Sequence, residues 1–269
     1  MNRVPNQRRH WTRHAIVVLI AAGAGALVYW YPGRISHDQG RVPGRDAPSP
    51  PTIPSEPARP LPEPDADTTP LPAAEPLPPL AESDAPFFAA LRAIFDAAAL
   101  DRYGLPEHLI ERLVTTIDSL DGKAIPPRFR PLRPIEGPPL IAGEGDEIVW
   151  DPANAARYRP LVEALGAADP AALAALYRRH APLFQQAYVE LGYPGRRFDD
   201  RLSEIIDHLL ATPEPEAPLR LTRPKVLYQF ADENLETLSW GQKTLLRIGP
   251  ENRAVVRAFL QRLRDALNG

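Results

Sequence analysis

The feature that most constrains this chain is an unbroken apolar run, AIVVLIAAGAGALVYWY, which occupies residues 15–31 and follows four arginines. At about 1.5 Å per residue, seventeen helical residues extend roughly 25 Å, near the lower limit for crossing a bilayer core. The run therefore predicts a transmembrane helix after a basic tail, residues 1–14. The anchor residues are Ala15, Ile16, Val17, Val18, Leu19, Ile20, Leu27, Val28, Tyr29, Trp30 and Tyr31.

Charge asymmetry predicts the orientation of this helix. All the flanking arginines precede the run, and positive charge is retained on the cytoplasmic side of a membrane. We therefore expect a single-pass protein with its N-terminus in the cytoplasm and the remainder outside. A second interpretation is a cleaved signal peptide, with Ala22-Gly23-Ala24 as the cleavage triplet. We favour the uncleaved anchor because the apolar run continues beyond that triplet.

Proline dominates the next segment, residues 32–79, and no aromatic residue occurs between Tyr31 and Phe87. Such a composition cannot bury enough apolar surface to offset the entropy lost on ordering, which predicts a disordered linker. Frequent proline favours the extended polyproline II conformation, at about 3.1 Å per residue. We expect this linker to hold the following domain away from the lipid.

Residues 80–269 have the composition of one globular domain, large enough to bury roughly 70% of the surface of its unfolded chain. Apolar residues recur mainly at helical spacing, which predicts a mainly α fold of several helices with one or two short β-hairpins. The chain has no cysteine, which excludes thiol catalysis and cysteine-bound zinc. No basic stripe is present, so we predict no nucleic-acid binding.

Several local signals locate the predicted elements. The spacing of apolar residues from Phe87 to Ala98 predicts a helix with one apolar face, which Ser83 or Asp84 could cap. Residues 198–210 have a strongly amphipathic pattern, which predicts another helix. Pro182 should kink or split the helix that begins after Asp169. Further helices are expected at 240–248 and 251–267, and hairpins at 140–150 and 219–230.

Long strings in the second half of the chain resemble a known family. They are LFQQAYVELGYP, DRLSEIIDHLLATPE, PKVLYQFAD and LSWGQKTLLRIGPEN, and DPANAARYRPLV fits as well. These strings resemble the uncharacterised bacterial domain-of-unknown-function family numbered 3014, and the likeness extends over about residues 80–267. The resemblance implies a single-span protein of the bacterial inner membrane with a periplasmic domain. It implies no catalytic residue.

Two groups of side chains are candidate sites. Asp200, Glu204 and His208 are four residues apart on one predicted helix, and Asp207 lies beside them, so the set could bind a divalent metal or exchange protons. The alternative is the solvated face of an amphipathic helix. In a second group, amide side chains, aromatic rings and a cation lie around a Gly-Tyr-Pro-Gly turn. This combination is typical of sites that bind glycans or peptides. Its members are Gln185, Gln186, Tyr188, Tyr193 and Arg197.

The motifs that commonly carry catalysis or hold nucleotides are missing, among them GxSxG, SxxK, HExxH, GxGxxG and the Walker A loop. Ser239 and Gln242, in a string similar to the ABC-transporter signature, are better explained as a capping box. We therefore predict no cofactor and a non-enzymatic binding or adaptor module of the cell envelope, with an envelope protein or cell-wall component as partner. The alternative is a periplasmic hydrolase or metal-dependent enzyme that uses Glu204, Asp207 and His208.

Overall fold

The computed structural model describes residues 76–216, 218–224 and 227–269, and this part of the chain is mainly helical, as predicted. The basic tail, the apolar run and almost all of the proline-rich segment lie outside the described residues. None of the helices within the described residues is long and apolar enough to cross a membrane. The helices are α1 (Asp84–Ile94), α2 (Ala97–Tyr103), α3 (Leu109–Ser119), α4 (Asn154–Gly166), α5 (Pro170–Glu190), α6 (Phe198–Leu210), α7 (Glu233–Glu236), α8 (Trp240–Arg247) and α9 (Pro250–Asn268).

Five helices form the centre of the domain. Helix α9 packs against α4, α5 and α6, and α3 packs against α5 and α6. The apolar faces that the periodicity predicted meet here, and the Phe184 ring contacts the rings of Phe87 and Phe198 in the core. Burial of these faces supplies the main driving force for the fold.

The prediction of one helix from Phe87 to Ala98 is wrong at the C-terminal end. Helix α1 stops at Ile94, and the Asp96 side chain caps a separate helix by accepting a hydrogen bond from the Ala99 N–H, at 3.0 Å. Neither predicted cap holds the start of α1: Ser83 donates to the Leu80 carbonyl. Asp84 instead accepts from two N–H groups at the start of α3, at 2.7 and 2.8 Å. A cap can therefore come from a residue distant in sequence.

Pro182 does not split the helix that contains it. Helix α5 runs continuously from Pro170 to Glu190, and Asp169 caps it as expected. Proline costs one backbone hydrogen bond, but Leu183 and Phe184 directly after it are buried in the core. This packing holds the helix together across the proline.

The two predicted hairpins are present as very short strands and join into one ribbon. Strand β1 (Ile141–Ala142) pairs with β2 (Val149–Trp150), and β3 (Leu221–Thr222) pairs with β4 (Gln229–Phe230), all antiparallel. Each hairpin is a two-stranded sheet, and a bridge between Val149 and Arg220 places β2 beside the start of β3. The ribbon has its own small core of Trp150, Leu221, Phe230 and Leu246, the last of which belongs to α8.

The start of α8 is tied closely to the end of α3. The N–H groups of Trp240 and Gly241 donate to the carbonyls of Gly122 and Leu120, at 2.7 and 2.9 Å. A Cβ atom at position 241 would lie 2.8 Å from the Leu120 oxygen, so only glycine permits this approach. Helix α8 is thereby held between the helical core and the ribbon.

Candidate functional site

The residues of the predicted ligand site around the Gly-Tyr-Pro-Gly turn lie together, but most of their polar groups bind within the protein. Gln185 donates to the Arg196 carbonyl at 2.9 Å and accepts from the Phe198 N–H at 2.8 Å. Its amide thus caps α6, whose own N-cap residue, Arg197, provides no side-chain cap. Gln186 donates to Glu190, and Arg197 pairs with Asp199 at 2.7 Å. These contacts close the turn rather than open a site.

The two tyrosines of this group stack on each other, with ring centroids 4.7 Å apart. Tyr188 is 0% exposed, and burial raises the pKa of its hydroxyl. Tyr193 is half-buried and donates to Asp118 at 3.2 Å. Tyr188 is therefore a core residue, and Tyr193 connects the turn to α3.

Next to this turn lies a fully paired arginine, which we call the Arg201 hub: Arg201 with Asp118 and Asp121. Arg201 contacts both Asp121 oxygens, at 2.8 and 3.0 Å, and Asp118 at 2.9 Å. Its side chain is only 13% exposed. Burial by itself would lower the pKa of Arg201, but the hydrogen bonds with Asp121 and Asp118 outweigh it and raise the pKa. The hub joins α3 to α6.

The side chains of the predicted metal site point to different partners. Glu204 lies 3.3 Å from Arg201, Asp207 pairs with Arg264 at 2.9 Å, and His208 Nε2 lies 2.8 Å from the Ser239 hydroxyl. Asp200 is exposed near Arg197. In the part of the chain that the structure describes, no three or more His, Asp or Glu side chains are grouped to hold a metal ion. The four-residue spacing placed these groups on one face, but arginines and a serine on neighbouring elements engage them separately.

A concave site that the sequence patterns did not indicate lies between α8, the ribbon and the loop after α3. Its volume is about 450 Å³. We call it the basic pocket. It is lined by four cations and two aromatic rings, together with Glu236 and a largely apolar rim. The cations and rings are Lys123, Arg130, Tyr228, Trp240, Lys243 and Arg247.

Three of the four cations are already held by protein oxygens. Lys123 donates to the Thr237 carbonyl at 2.6 Å, and Lys243 pairs with Glu236 at 2.8 Å. Arg130 is buried and donates twice to the Ile125 carbonyl, at 3.1 and 2.6 Å, while its guanidinium lies over the Trp240 ring. These contacts fix the walls of the basic pocket.

Arg247 differs from the other three. The residue is 7% exposed, and its guanidinium lies over the Phe230 ring at 5.0 Å. Among the described residues, however, its guanidinium forms no hydrogen bond and no salt bridge. The nearby Glu236 carboxylate is taken by Lys243 and by the Phe230 N–H at 2.9 Å. Burial accordingly lowers the pKa of Arg247. A buried charge without a counter-charge is costly, so this wall of the pocket is suited to an anion.

Two further polar groups near Arg247 are buried without a hydrogen-bond partner among the described residues: the hydroxyls of Thr244 and Tyr158. Burial raises the pKa of Tyr158 to about 12, although the charges of Arg157 and Arg247 oppose this change. The indole N–H of Trp150 donates to the Arg247 carbonyl at 2.9 Å. The backbone of Arg247 is thus anchored to the ribbon core, while its side chain has unused donors.

Part of the basic pocket could have been predicted from the sequence. Trp240, Lys243 and Arg247 recur at positions i, i+3 and i+7, which share one face of α8. The capping box that starts this helix is confirmed, with Ser239 Oγ accepting from the Gln242 N–H at 3.1 Å. Lys123 and Arg130, however, come from a loop more than a hundred residues earlier, and no local pattern connects them to α8.

A family model described as a protein of unknown function, DUF3014, matches residues 109–264. The matched range contains every residue of the Arg201 hub and of the basic pocket. No match is found among curated proteins or among solved structures. Because the family model covers more than half of the chain, and because the resemblance noted from the sequence strings points to the same family, the protein belongs to the DUF3014 family.

Proposed function

We propose that this protein is a non-enzymatic binding module of the bacterial cell envelope, and that its helical domain holds an anionic ligand in the basic pocket. The observation that carries the proposal is Arg247, a buried guanidinium with no hydrogen-bonding or ionic partner among the described residues. An anionic ligand could accept charge-assisted hydrogen bonds from this guanidinium and so offset the cost of burying its charge.

The proposed placement in the envelope rests on the sequence. The apolar run 15–31 and the arginines before it support an inner-membrane anchor with the domain in the periplasm. The proline-rich segment supports a tether that lets the domain reach an envelope protein or a cell-wall component. A reporter active in only one compartment, fused to the C-terminus, tests this orientation. Activity on the cytoplasmic side would show it to be wrong.

The contacts of Glu204, Asp207 and His208 favour binding over hydrolysis. Each of these side chains is engaged by a different neighbour, so they do not converge on a point where a reacting atom could sit. The basic pocket, by contrast, combines concavity, aromatic rings and an unpaired charge, which are the features of a ligand site.

Binding can be tested with the full chain in detergent by tryptophan fluorescence, since Trp240, one of the four tryptophans, lines the pocket. Titration with a panel of anions (pyrophosphate, citrate and N-acetyl-phenylalanine) should reveal at least one that changes the signal. We expect Arg247→Gln to weaken that binding at least tenfold. Arg262→Gln is the matched control, because Arg262 also lies over a ring, that of Phe259, but far along α9. Equal binding by both variants would contradict the proposal.

A further inference from the structure

We infer that the ligand of the basic pocket is a diphosphate, bound by Arg247 on α8 and by Lys123 and Arg130 on the loop after α3. This inference rests on the proposed function and specifies the chemistry of the same site. Free pyrophosphate and the diphosphate ester of a larger molecule, such as a lipid head group, both present two linked phosphoryl groups.

The charge balance of the basic pocket favours a multiply charged anion. Four cations line the pocket against the single carboxylate of Glu236, which leaves three positive charges in excess. Both oxygens of that carboxylate are engaged: one lies 2.8 Å from the Lys243 ammonium, and the other accepts from the Phe230 N–H at 2.9 Å. A phosphate monoester carries roughly 1.5 to 2 negative charges near pH 7. Two linked phosphoryl groups therefore offset this excess better than a single carboxylate.

Lys123 and Arg130 keep their charge and part of their hydrogen-bonding capacity. Lys123 donates to the Thr237 carbonyl, and Arg130 donates to the Ile125 carbonyl through Nε and Nη2. Among the described residues the Nη1 group of Arg130 therefore has no acceptor. A carbonyl oxygen accepts a hydrogen bond but does not cancel a full charge. Burial lowers the pKa of Arg130, as expected of a cation without a carboxylate beside it.

The cations come from two different elements. Lys243 and Arg247 are four residues apart, which makes them neighbours on one face of α8. Lys123 and Arg130 come from the loop after α3, and Arg130 lies over the Trp240 ring at 5.4 Å, beside the start of α8. Donors from two elements favour a ligand with two anionic groups. Phosphoryl oxygens also point to several sides, whereas the oxygens of a carboxylate lie in one plane.

The size and depth of the basic pocket agree with such a ligand. A volume of about 450 Å³ falls within the usual range for small-ligand sites and leaves room for two linked groups. Arg130 and Arg247 are 4% and 7% exposed, whereas Lys123 is exposed. The buried guanidiniums can form charge-assisted hydrogen bonds with little competition from water. Lys123 adds positive charge at the outer side.

The test measures the binding of pyrophosphate, phosphate and citrate to the full chain in a non-ionic detergent, by calorimetry at low salt. We expect pyrophosphate to bind at least tenfold more tightly than either of the others. Arg247→Gln should weaken pyrophosphate at least tenfold, and Lys123→Gln, at an exposed position, should weaken it several-fold. Arg128→Gln is the matched control, because Arg128 is an exposed cation on the same loop that does not line the pocket.

The outcomes separate this inference from the proposed function. If phosphate or citrate binds as tightly as pyrophosphate and requires Arg247, the pocket binds anions but the diphosphate inference is wrong. If none of these anions binds, both are wrong. Equal weakening by Arg128→Gln and Lys123→Gln would attribute binding to the general charge of the loop, which also contradicts the inference.

A last comparison identifies the source of the diphosphate. Farnesyl diphosphate is titrated in the same detergent as pyrophosphate, with Arg247→Gln as the control for binding outside the pocket. Tighter binding of the ester to the unmodified chain identifies a diphosphate ester as the ligand. Equal or weaker binding identifies free diphosphate.

Discussion

Two arginines with little solvent exposure, Arg201 and Arg247, have opposite environments. Arg201 contacts two aspartates and a backbone carbonyl, so its charge is compensated inside the fold. Arg247 is buried too, but its guanidinium lies over the Phe230 ring, and Glu236, the acid that attracts its charge, is already paired with Lys243. The Arg201 hub therefore serves the structure. Arg247 costs stability in the fold itself, which is what a residue kept for binding is expected to do.

The two regions meet at one short segment. Asp118 and Asp121 of the hub and Lys123 of the basic pocket all lie at or just after the end of α3. The same segment accepts the hydrogen bonds that begin α8, from Trp240 and Gly241. The Arg201 hub and the start of α8 are therefore attached to the same segment, and α8 is the helix that carries Arg247.

The largest effect should follow from breaking the hub. We expect Arg201→Met to lower the free energy of unfolding by about 3 kcal/mol, because it leaves Asp118 and Asp121 close together without a counter-charge. Urea denaturation measures this loss. Arg196→Met is the control, since Arg196 is 54% exposed and lies 3.6 Å from Glu204, and it should change stability by less than about 0.5 kcal/mol. Equal effects of the two variants would show that the hub is not structural.

At Arg247 we expect the free energy of unfolding to change in the opposite direction. Arg247→Met replaces an unpaired buried cation by an apolar side chain of similar length, and it should raise the free energy of unfolding of the ligand-free chain by about 1 kcal/mol. The same variant should lose anion binding. Arg262→Met, at an exposed position on α9, should neither raise the free energy of unfolding nor weaken anion binding. A destabilised Arg247→Met would mean that this arginine is part of the scaffold, like Arg201.

The smallest effect concerns acid sensitivity near the hub. Hydrogen bonds from Tyr177 and Arg197 lower the pKa of Asp199 below its ordinary value of 3.8. A carboxylate with a lowered pKa stabilises the fold above about pH 4, and this contribution disappears as the pH falls through its folded pKa. Asp199→Asn should therefore cost stability at pH 7, by less than about 1 kcal/mol because Asp199 is 45% exposed.

The measurement for Asp199 is urea denaturation of both proteins at several pH values. The difference between wild type and Asp199→Asn should narrow steadily below pH 4. A constant difference at all pH values would indicate that Asp199 acts through packing or neutral hydrogen bonds and not through its charge.

Local signals predicted much of the fold. The amphipathic pattern of residues 198–210 matches α6. Asp169 followed by Pro170 located the start of α5, and the Ser239 capping box located the start of α8. Local signals misjudged the end of α1 and the effect of Pro182. At these places a cap on the next helix, or the burial of Leu183 and Phe184, outweighed the local preference.

The candidate sites were harder to predict, because side-chain direction depends on tertiary partners. Glu204, Asp207 and His208 share a helix face, yet Arg201, Arg264 and Ser239 engage them separately. Gln185 and Tyr188 were candidates for ligand binding, yet the first caps α6 and the second is fully buried. Here the polar side chains of Gln185, Gln186 and Arg197 are used by the fold itself.

By itself, the sequence determined where helices and hairpins form, since periodicity, caps and turn residues act over a few positions. It also determined the family to which the domain belongs. Only the tertiary structure decided which charges are compensated. Arg201 pairs with Asp118 across 83 positions, whereas Arg247 lines a pocket together with Lys123 and Arg130, and the Glu236 carboxylate of that pocket is paired with Lys243. Charge pairing depends on contacts between distant segments, which local patterns do not encode.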